Sequence, residues 1–216
     1  MALTHEEMLS SFQDEPLAFE PGSRLRYSNS GYYLLGMVIE HVSGGSYEEF
    51  MYSRVFAPVG LENTGYSLHD TIIKRTVANY AYGGGGYGNA YYWDMSQAFG
   101  AGGLYSTLGD LHAWNRAVMH GEVLPTEVMT RAFTRVTLDD GAAPPYGLGW
   151  RLSDVRGLAR IWHTGGGPGF NAIIVYHPAL DATVVVLTNL NVDADRLARE
   201  VSEVYYHDEM DAQEGQ

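Results

Sequence analysis

Tyr27, in the run Arg24-Leu25-Arg26-Tyr27-Ser28-Asn29-Ser30, and the glycines of His163-Thr164-Gly165-Gly166-Gly167-Pro168-Gly169 are residue types able to do chemistry. A phenol shuttles a proton when neighbouring cations lower its pKa, and a glycine-rich strand end lets backbone N–H donors approach a developing oxyanion closely. Taken alone, Tyr27 fits a half-buried core tyrosine equally well. Other chemistries find little support. Gly83-Gly84-Gly85-Gly86-Tyr87-Gly88 satisfies the spacing of a dinucleotide-binding loop, but no strand is expected before it and Asn89-Ala90-Tyr91-Tyr92-Trp93 does not open a helix. The sole lysine, Lys74, sits in Ile72-Ile73-Lys74-Arg75, which excludes a phosphate-binding Gly-Lys loop. Eight histidines include no H-E-x-x-H and no close pair at helical spacing, and the chain has no cysteine. No metal site, thiolate nucleophile or other cofactor site is therefore expected.

The elements that must hold these residues follow from caps and periodicity. Thr4 and Glu7 form a capping box, so a helix is expected from 5 to about 12, ending before Pro16. Glu20-Pro21-Gly22-Ser23 is a turn. A helix over 31–42 places Leu34, Leu35, Val38, Ile39 and Val42 on one apolar face and stops at Ser43-Gly44-Gly45. Ser46 with Glu49 opens another helix that must stop before Pro58. From 64 to 103 no period persists, and the Tyr- and Gly-rich sequence reads as long loops. Thr107 with Asp110 caps a helix carrying Leu108, Leu111, Trp114 and Val118 inward, and Pro125 opens one over 126–133.

The last third is richer in strand formers, with strands expected at 148–152, 159–163, 170–176 and 183–188. Ile173-Ile174-Val175 and Val184-Val185-Val186-Leu187 are apolar at successive positions, so both faces of those strands should be covered. A helix over 194–205 would cover one of them, and the acidic residues from His207 onward read as a frayed tail.

Taken in order, Pro21-Gly22, Tyr27-Ser28-Asn29, Gly31-Tyr32 at the head of an apolar helix and His163-Thr164-Gly165 resemble the serine β-lactamase-like hydrolases. That group holds class C β-lactamases, DD-carboxypeptidases, D-aminopeptidases and related esterases. Ala101-Gly102-Gly103-Leu104-Tyr105-Ser106-Thr107 with Asp110, Tyr146-Gly147-Leu148-Gly149-Trp150, and Leu187-Thr188-Asn189 extend the resemblance over nearly the whole chain. It implies an α+β fold of the β-lactamase-like (DD-peptidase-like) kind, present as a single incomplete domain over 1–216. Within it, 1–145 would be mostly helices and loops, 146–206 antiparallel strands with a C-terminal helix, and 207–216 the tail.

By the same resemblance Tyr27 is the proton-transfer partner of the nucleophile and Asn29 hydrogen-bonds the substrate amide. His163 with Thr164 and Gly165 lines the strand beside the acyl group, and the Gly166 N–H is an oxyanion donor. Tyr27, Asn29 and His163 are then expected to face one cleft. The family's third motif, Ser-x-x-Lys, is absent, because Thr71 stands three residues before the only lysine. The implied function is the C-terminal part of a serine hydrolase acting on ester or amide bonds, peptide or β-lactam-like, through an acyl-enzyme, and inactive alone. Having His rather than Lys at 163 leans toward peptidase- or esterase-like relatives. The alternative is a non-catalytic protein that binds a peptide or acyl ligand in the residual cleft.

Composition bounds the partners. Of 216 residues 45% are hydrophobic, enough for a core, and 26 acidic residues against 13 basic ones leave a net charge of −13. Such a surface repels nucleic acid. No apolar run approaches the ~18 residues of a membrane span. Residues 1–7 lack a basic, apolar leader pattern and read as a helix start inside a longer protein. The expected partners are a small-molecule or peptide substrate and either an N-terminal companion chain or further copies of this chain, because the missing family strands would leave apolar surface uncovered.

Overall fold

The computed structural model describes residues 2–67 and 71–214. Their first half runs α1 (His5–Ser10), α2 (Asn29–Ser43), α3 (Tyr47–Met51), β1 (Gly65–Tyr66), β2 (Tyr80–Gly83), β3 (Gly86–Asn89) and β4 (Leu104–Tyr105). The second runs α4 (Leu108–Met119), α5 (Thr126–Ala132), β5 (Arg151–Val155), β6 (Leu158–Gly167), β7 (Phe170–His177), β8 (Ala182–Thr188), α6 (Ala194–Tyr205) and α7 (His207–Glu214). They group into two compact units: Met1–Thr76 with Tyr92–Thr107 and Leu138–Ala142, and Val77–Tyr91 with Leu108–Thr137 and Ala143–Gln216.

The first unit is organised around Phe99. The rings of His5, Tyr33, Tyr47 and Tyr66 lie 4.6, 5.0, 4.9 and 6.1 Å from its centroid. Phe99 sits at φ +44°, in the left-handed region, and its ring presses on α2 where Gly36 leaves a notch. A Cβ on Gly36 would meet Phe99 Cε1 at 2.5 Å. This contact corrects the expected orientation of α2. Tyr33 and Gly36 face inward, whereas Leu34, Leu35, Val38 and Val42 are exposed, Val42 by 79%. Of the five expected core residues only Ile39 packs against the aromatic cluster. The helix is apolar over more than one stripe, and large rings that fit a glycine notch outcompete smaller side chains for the interior.

Both capping boxes form as expected, at Thr4/Glu7 and Ser46/Glu49. After α3, however, the helical path widens into a π turn over Tyr52–Phe56 and tightens into a 3-10 turn over Ala57–Val59, so it runs through Pro58 instead of stopping before it. A proline at the start of a helical turn sacrifices no internal N–H bond, which is why the path continues.

In the second unit β5-β6-β7-β8 form an antiparallel sheet in that order. Ile173, Val175 and Val184 pack under α6 at Ala194 and Ala198, whose small side chains let helix and sheet approach. On the opposite face α4 reaches β8, where Asn115 Nδ2 donates to Thr183 Oγ1 at 2.8 Å. Cover on that face is partial, since Leu187 stays exposed, so the expected burial of both faces holds for one. Strand β5 begins at Arg151 rather than 148, because 147–150 close a turn in which Gly147 N–H donates to the Trp150 carbonyl.

Two further expectations are corrected. Residues 207–214 form helix α7 rather than a frayed tail; Met210 is fully buried and Arg156 bonds Asp211 at 2.5 Å. Within the expected loop region, Tyr80–Gly83 and Gly86–Asn89 pair as a hairpin. Its turn residues Gly84 and Gly85 have φ of +57° and +87°, the conformation a two-residue hairpin turn demands and glycine supplies without strain. A strand therefore does lead into the glycine run, but a strand and not a helix leaves it. Of the two grounds the sequence offered against dinucleotide binding, the missing strand is overturned and the missing helix holds.

Candidate active site

In the second unit, His163, Thr164, Gly165 and Gly166 lie in the second half of β6. Pairing with β5 ends at Arg151↔Trp162, so from Thr164 to Gly167 the strand is paired, among the described residues, only with β7 and has one free edge. The Pro168-Gly169 turn closes on the pair Gly167↔Phe170. Antiparallel pairs alternate between bonded and non-bonded, which makes Gly165↔Ala172 bonded and Gly166↔Asn171 non-bonded. The Asn171 carbonyl agrees, turning away from β6 to accept from Thr188 Oγ1 at 3.2 Å. Gly166 therefore directs its N–H to the free edge. A Cβ there would meet nothing closer than Asn171 Nδ2 at 3.5 Å, so packing within the chain does not require glycine at this position.

His163 is held at both ring nitrogens. Nδ1 lies 2.7 Å from the Thr164 carbonyl, which can only accept, so Nδ1 carries the proton. Nε2 then accepts from the Tyr146 hydroxyl at 2.9 Å. Burial is the main cause that pushes the imidazole below its ordinary value; the bond to Thr164 opposes it, and the Arg151 guanidinium adds to it. Arg151 itself is stacked over the rings of Tyr146 and Trp162, at 5.8 and 5.3 Å from their centroids. The arrangement is a neutral histidine, oriented by a phenol, at the start of an unpaired strand edge. Tyr146 belongs to the Tyr-Gly-Leu-Gly-Trp signature, but the sequence gives it no role, because nothing in its local pattern points to a partner 17 residues on.

In the first unit, Tyr27 precedes α2 and is 48% exposed. Ser28 is the N-cap of that helix, its Oγ accepting from Gly31 N–H at 3.1 Å, and Asn29 is the first helical residue, exposed to solvent. The preceding turn forms as expected: Ser23 N–H donates to the Glu20 carbonyl, and Asp139 N–H to the Gly22 carbonyl. Asp139 crowds Gly22 so closely that a side chain there would have to displace it. The backbone entering the helix is thereby fixed, and Tyr27 and Asn29 stand together at its start. Tyr27 and Asn29 thus belong to one unit and His163 to Gly166 to the other.

A cavity of about 380 Å³ elsewhere in the first unit is lined by His5, Tyr33, Glu40, Tyr47, Tyr66 and Phe99. Its polar groups already satisfy one another: His5 Nδ1 meets Tyr33 Oη at 2.7 Å and His5 Nε2 meets Glu40 Oε2 at 3.0 Å, while Glu40 Oε1 accepts from Tyr47 N–H. It is a joint that pins α1 to α2 and α3. Among the described residues no helix is long and apolar enough to cross a membrane.

The Beta-lactamase family profile matches residues 1–205. Among curated relatives, Penicillin-binding protein 4* of Bacillus subtilis (strain 168) is 27% identical over 214 residues, covering 88% of this chain and 46% of that protein. D-aminopeptidase of Gluconobacter oxydans (strain 621H) is 26% identical over 175 residues, covering 80% of this chain and 33% of that one. Among solved structures, a penicillin binding protein from Bacillus halodurans superposes with a TM-score of 0.79 at 25% identity, covering 93% of this chain and 62% of the other. The chain spans about half the length of the first of these relatives and a third of the second.

Proposed function

Because this chain belongs to the Beta-lactamase family, and its α+β architecture is that of the penicillin-binding proteins, we propose that it is one part of a serine hydrolase cleaving ester or amide bonds through an acyl-enzyme. The observation that carries this reading is the free edge of β6, where Gly166 presents its N–H beside a neutral, tethered His163.

In the reaction, a serine hydroxyl adds to the substrate carbonyl, its proton passes to the Tyr27 oxygen as the Tyr27 hydroxyl hands its own proton on toward the leaving group, and the carbonyl oxygen takes up negative charge. The Gly166 N–H donates to that oxyanion, an interaction stronger in the tetrahedral state than in the bound substrate. Asn29 and the Thr164–Gly165 backbone hold the acyl side. The tetrahedral state collapses with the leaving alcohol or amine carrying the proton away, and water then releases the acid from the serine. The serine belongs to a Ser-x-x-Lys segment, and this chain has none. It therefore supplies Tyr27, Asn29, His163, Thr164, Gly165 and Gly166 to chemistry whose nucleophile lies in a Ser-x-x-Lys segment outside these 216 residues. The substrates are amides and esters of the kind the names D-aminopeptidase and penicillin-binding protein imply.

The test is hydrolysis of a p-nitrophenyl ester and a D-amino acid p-nitroanilide. The chain alone should give no turnover. Addition of a Ser-x-x-Lys polypeptide from the same source, beginning with the neighbouring reading frame, should restore it. Turnover by the chain alone would place the nucleophile within it, and tight ligand binding with no restoration by any such polypeptide would replace the hydrolase reading with a non-catalytic peptide- or acyl-ligand-binding protein.

A further inference from the structure

The β2–β3 hairpin is a two-faced ribbon. Tyr80, Tyr82 and Tyr87 share one face by strand alternation and register, while Ala81, Gly83, Gly86 and Gly88 make the other almost bare. Tyr82 and Tyr87 are cross-strand partners with ring centroids 5.2 Å apart, edge to face, and they are 67% and 72% exposed. Among the described residues none approaches the glycines of the tip. A Cβ placed on any of Gly83, Gly84, Gly85, Gly86 or Gly88 would have no neighbour within 4 Å.

The base of the hairpin, by contrast, is clamped to the end of the sheet. Asn79 Nδ2 donates to the Pro168 carbonyl at 2.7 Å, and Tyr80 N–H donates to the Asn189 carbonyl at 2.9 Å. Asn189 Nδ2 returns a bond to the Ala78 carbonyl at 3.0 Å. Gly169 packs on Tyr80 so tightly that a Cβ would lie 2.7 Å from the Tyr80 carbonyl oxygen. Pro168 and Gly169 form the turn that follows Gly165–Gly167, so the ribbon stands on the same end of the sheet as the free edge of β6.

A lone two-stranded ribbon is marginal in water, and pairing two aromatic rings in solvent forgoes their burial. Rigid tyrosine rings on a clamped base are, however, well suited to recognition, because they present large contact area with little rotamer entropy to lose. We infer that Tyr82 and Tyr87 are specificity-determining residues that receive a flat aromatic side group of the ester or amide substrate held at the β6 edge. This rests on the hydrolase reading above. The ribbon carries no charged side chain from Tyr80 to Asn89, so it offers no ion pair to the group it receives.

Residue-resolved NMR on the full chain tests this, with N-acetylphenylalanine amide and N-acetylalanine amide as probes and Tyr52 and Tyr205, also exposed, as internal controls. The aromatic probe should shift the ring signals of Tyr82 and Tyr87 well beyond those of the controls, and the aliphatic probe should not. Y82S/Y87S should weaken binding of the aromatic probe roughly three- to tenfold, the range that one or two aromatic pairings supply, and leave the aliphatic probe within about twofold. Equal shifts at Tyr52 and Tyr205, or no shift at Tyr82 and Tyr87, would overturn the inference. Shifts at the tyrosines without any at Gly166 or His163 would leave the aromatic platform standing and remove the hydrolase site beside it.

Discussion

At the scale of single residues, the site is defined by which way backbone and ring protons point. Gly165 and Gly166 are adjacent glycines whose N–H groups point in opposite directions, toward β7 and toward the free edge. Proline is tolerated where the lost N–H faced no ladder partner and is disruptive where it removes one. Gly166→Pro should therefore leave the fold intact by circular dichroism and thermal melting. In the complemented enzyme it should lower turnover by ~10² to 10³, the usual cost of one oxyanion donor. Gly165→Pro should instead lower the melting temperature. Equal thermal destabilisation by both would mean that the pairing alternation is reversed.

His163 offers a second check at this scale. Its imidazole is pushed below 6.5 chiefly by burial, so the unfolded chain binds the proton first as the solution is acidified. The stability that neutral His163 contributes is complete above about pH 6.5 and is lost as pH falls from there through the lower folded value. His177 is shifted in the same direction by its own burial and adds to the effect. An NMR titration should place the His163 midpoint below 6.5 with the proton of the neutral ring on Nδ1. A midpoint above 6.5, or a proton on Nε2, would contradict the bonds to Thr164 and Tyr146.

At the scale of elements, what the sequence reveals depends on whether the deciding contact is local. The capping boxes at Thr4/Glu7 and Ser46/Glu49 and the helix from Ala194 to Tyr205 are legible because the residues that make them lie within a turn of one another. The buried face of α2 is not, because it is chosen by Phe99, more than 60 residues away, at an unusual φ no pattern announces. The β2–β3 hairpin is missed for another reason: a run of glycines masks the period of two that its tyrosines would otherwise show. Tyr27, Asn29 and the β6 stretch are found through motif order alone. Tyr146 shows its role only once the fold brings it to His163.

The same distinction governs α7, whose composition reads as a solvated tail and whose docking depends on one side chain. Met210 is fully buried, so Met210→Ala removes both its transfer energy and the packing around it. A loss of about 2 to 3 kcal/mol is expected in urea denaturation. A change below about 0.5 kcal/mol would show that α7 does not contribute to the stability of its unit.

At the scale of the whole molecule, charge and uncovered apolar surface pull in opposite directions. A net charge of −13 favours separation, yet Leu34, Leu35, Val38 and Val42 on α2 and Val204 and Tyr205 on α6 are exposed. Each such aliphatic side chain forgoes about 1.5 to 3 kcal/mol of burial, and several together rival the stability of a domain. Screening by salt weakens the repulsion and leaves the apolar term intact. Sedimentation velocity should therefore show self-association that rises with protein concentration and with added salt. A sedimentation coefficient constant over both, with no binding of a hydrophobic dye, would show that these surfaces need no partner.

The central claim is that this chain carries the receiving side of an acyl-transfer site and not its nucleophile. Ser28 is already engaged as the cap of α2, and no serine stands three residues before the sole lysine. General-base activation of a nucleophile is worth ~10² to 10⁴ in rate, so neither Ser28 nor Ser30 should react without it. Intact-mass spectrometry after incubation with a fluorophosphonate tests this most directly. The mass of the chain should be unchanged. A stoichiometric increase mapped to Ser28 or Ser30 would place the nucleophile within this chain and contradict the claim.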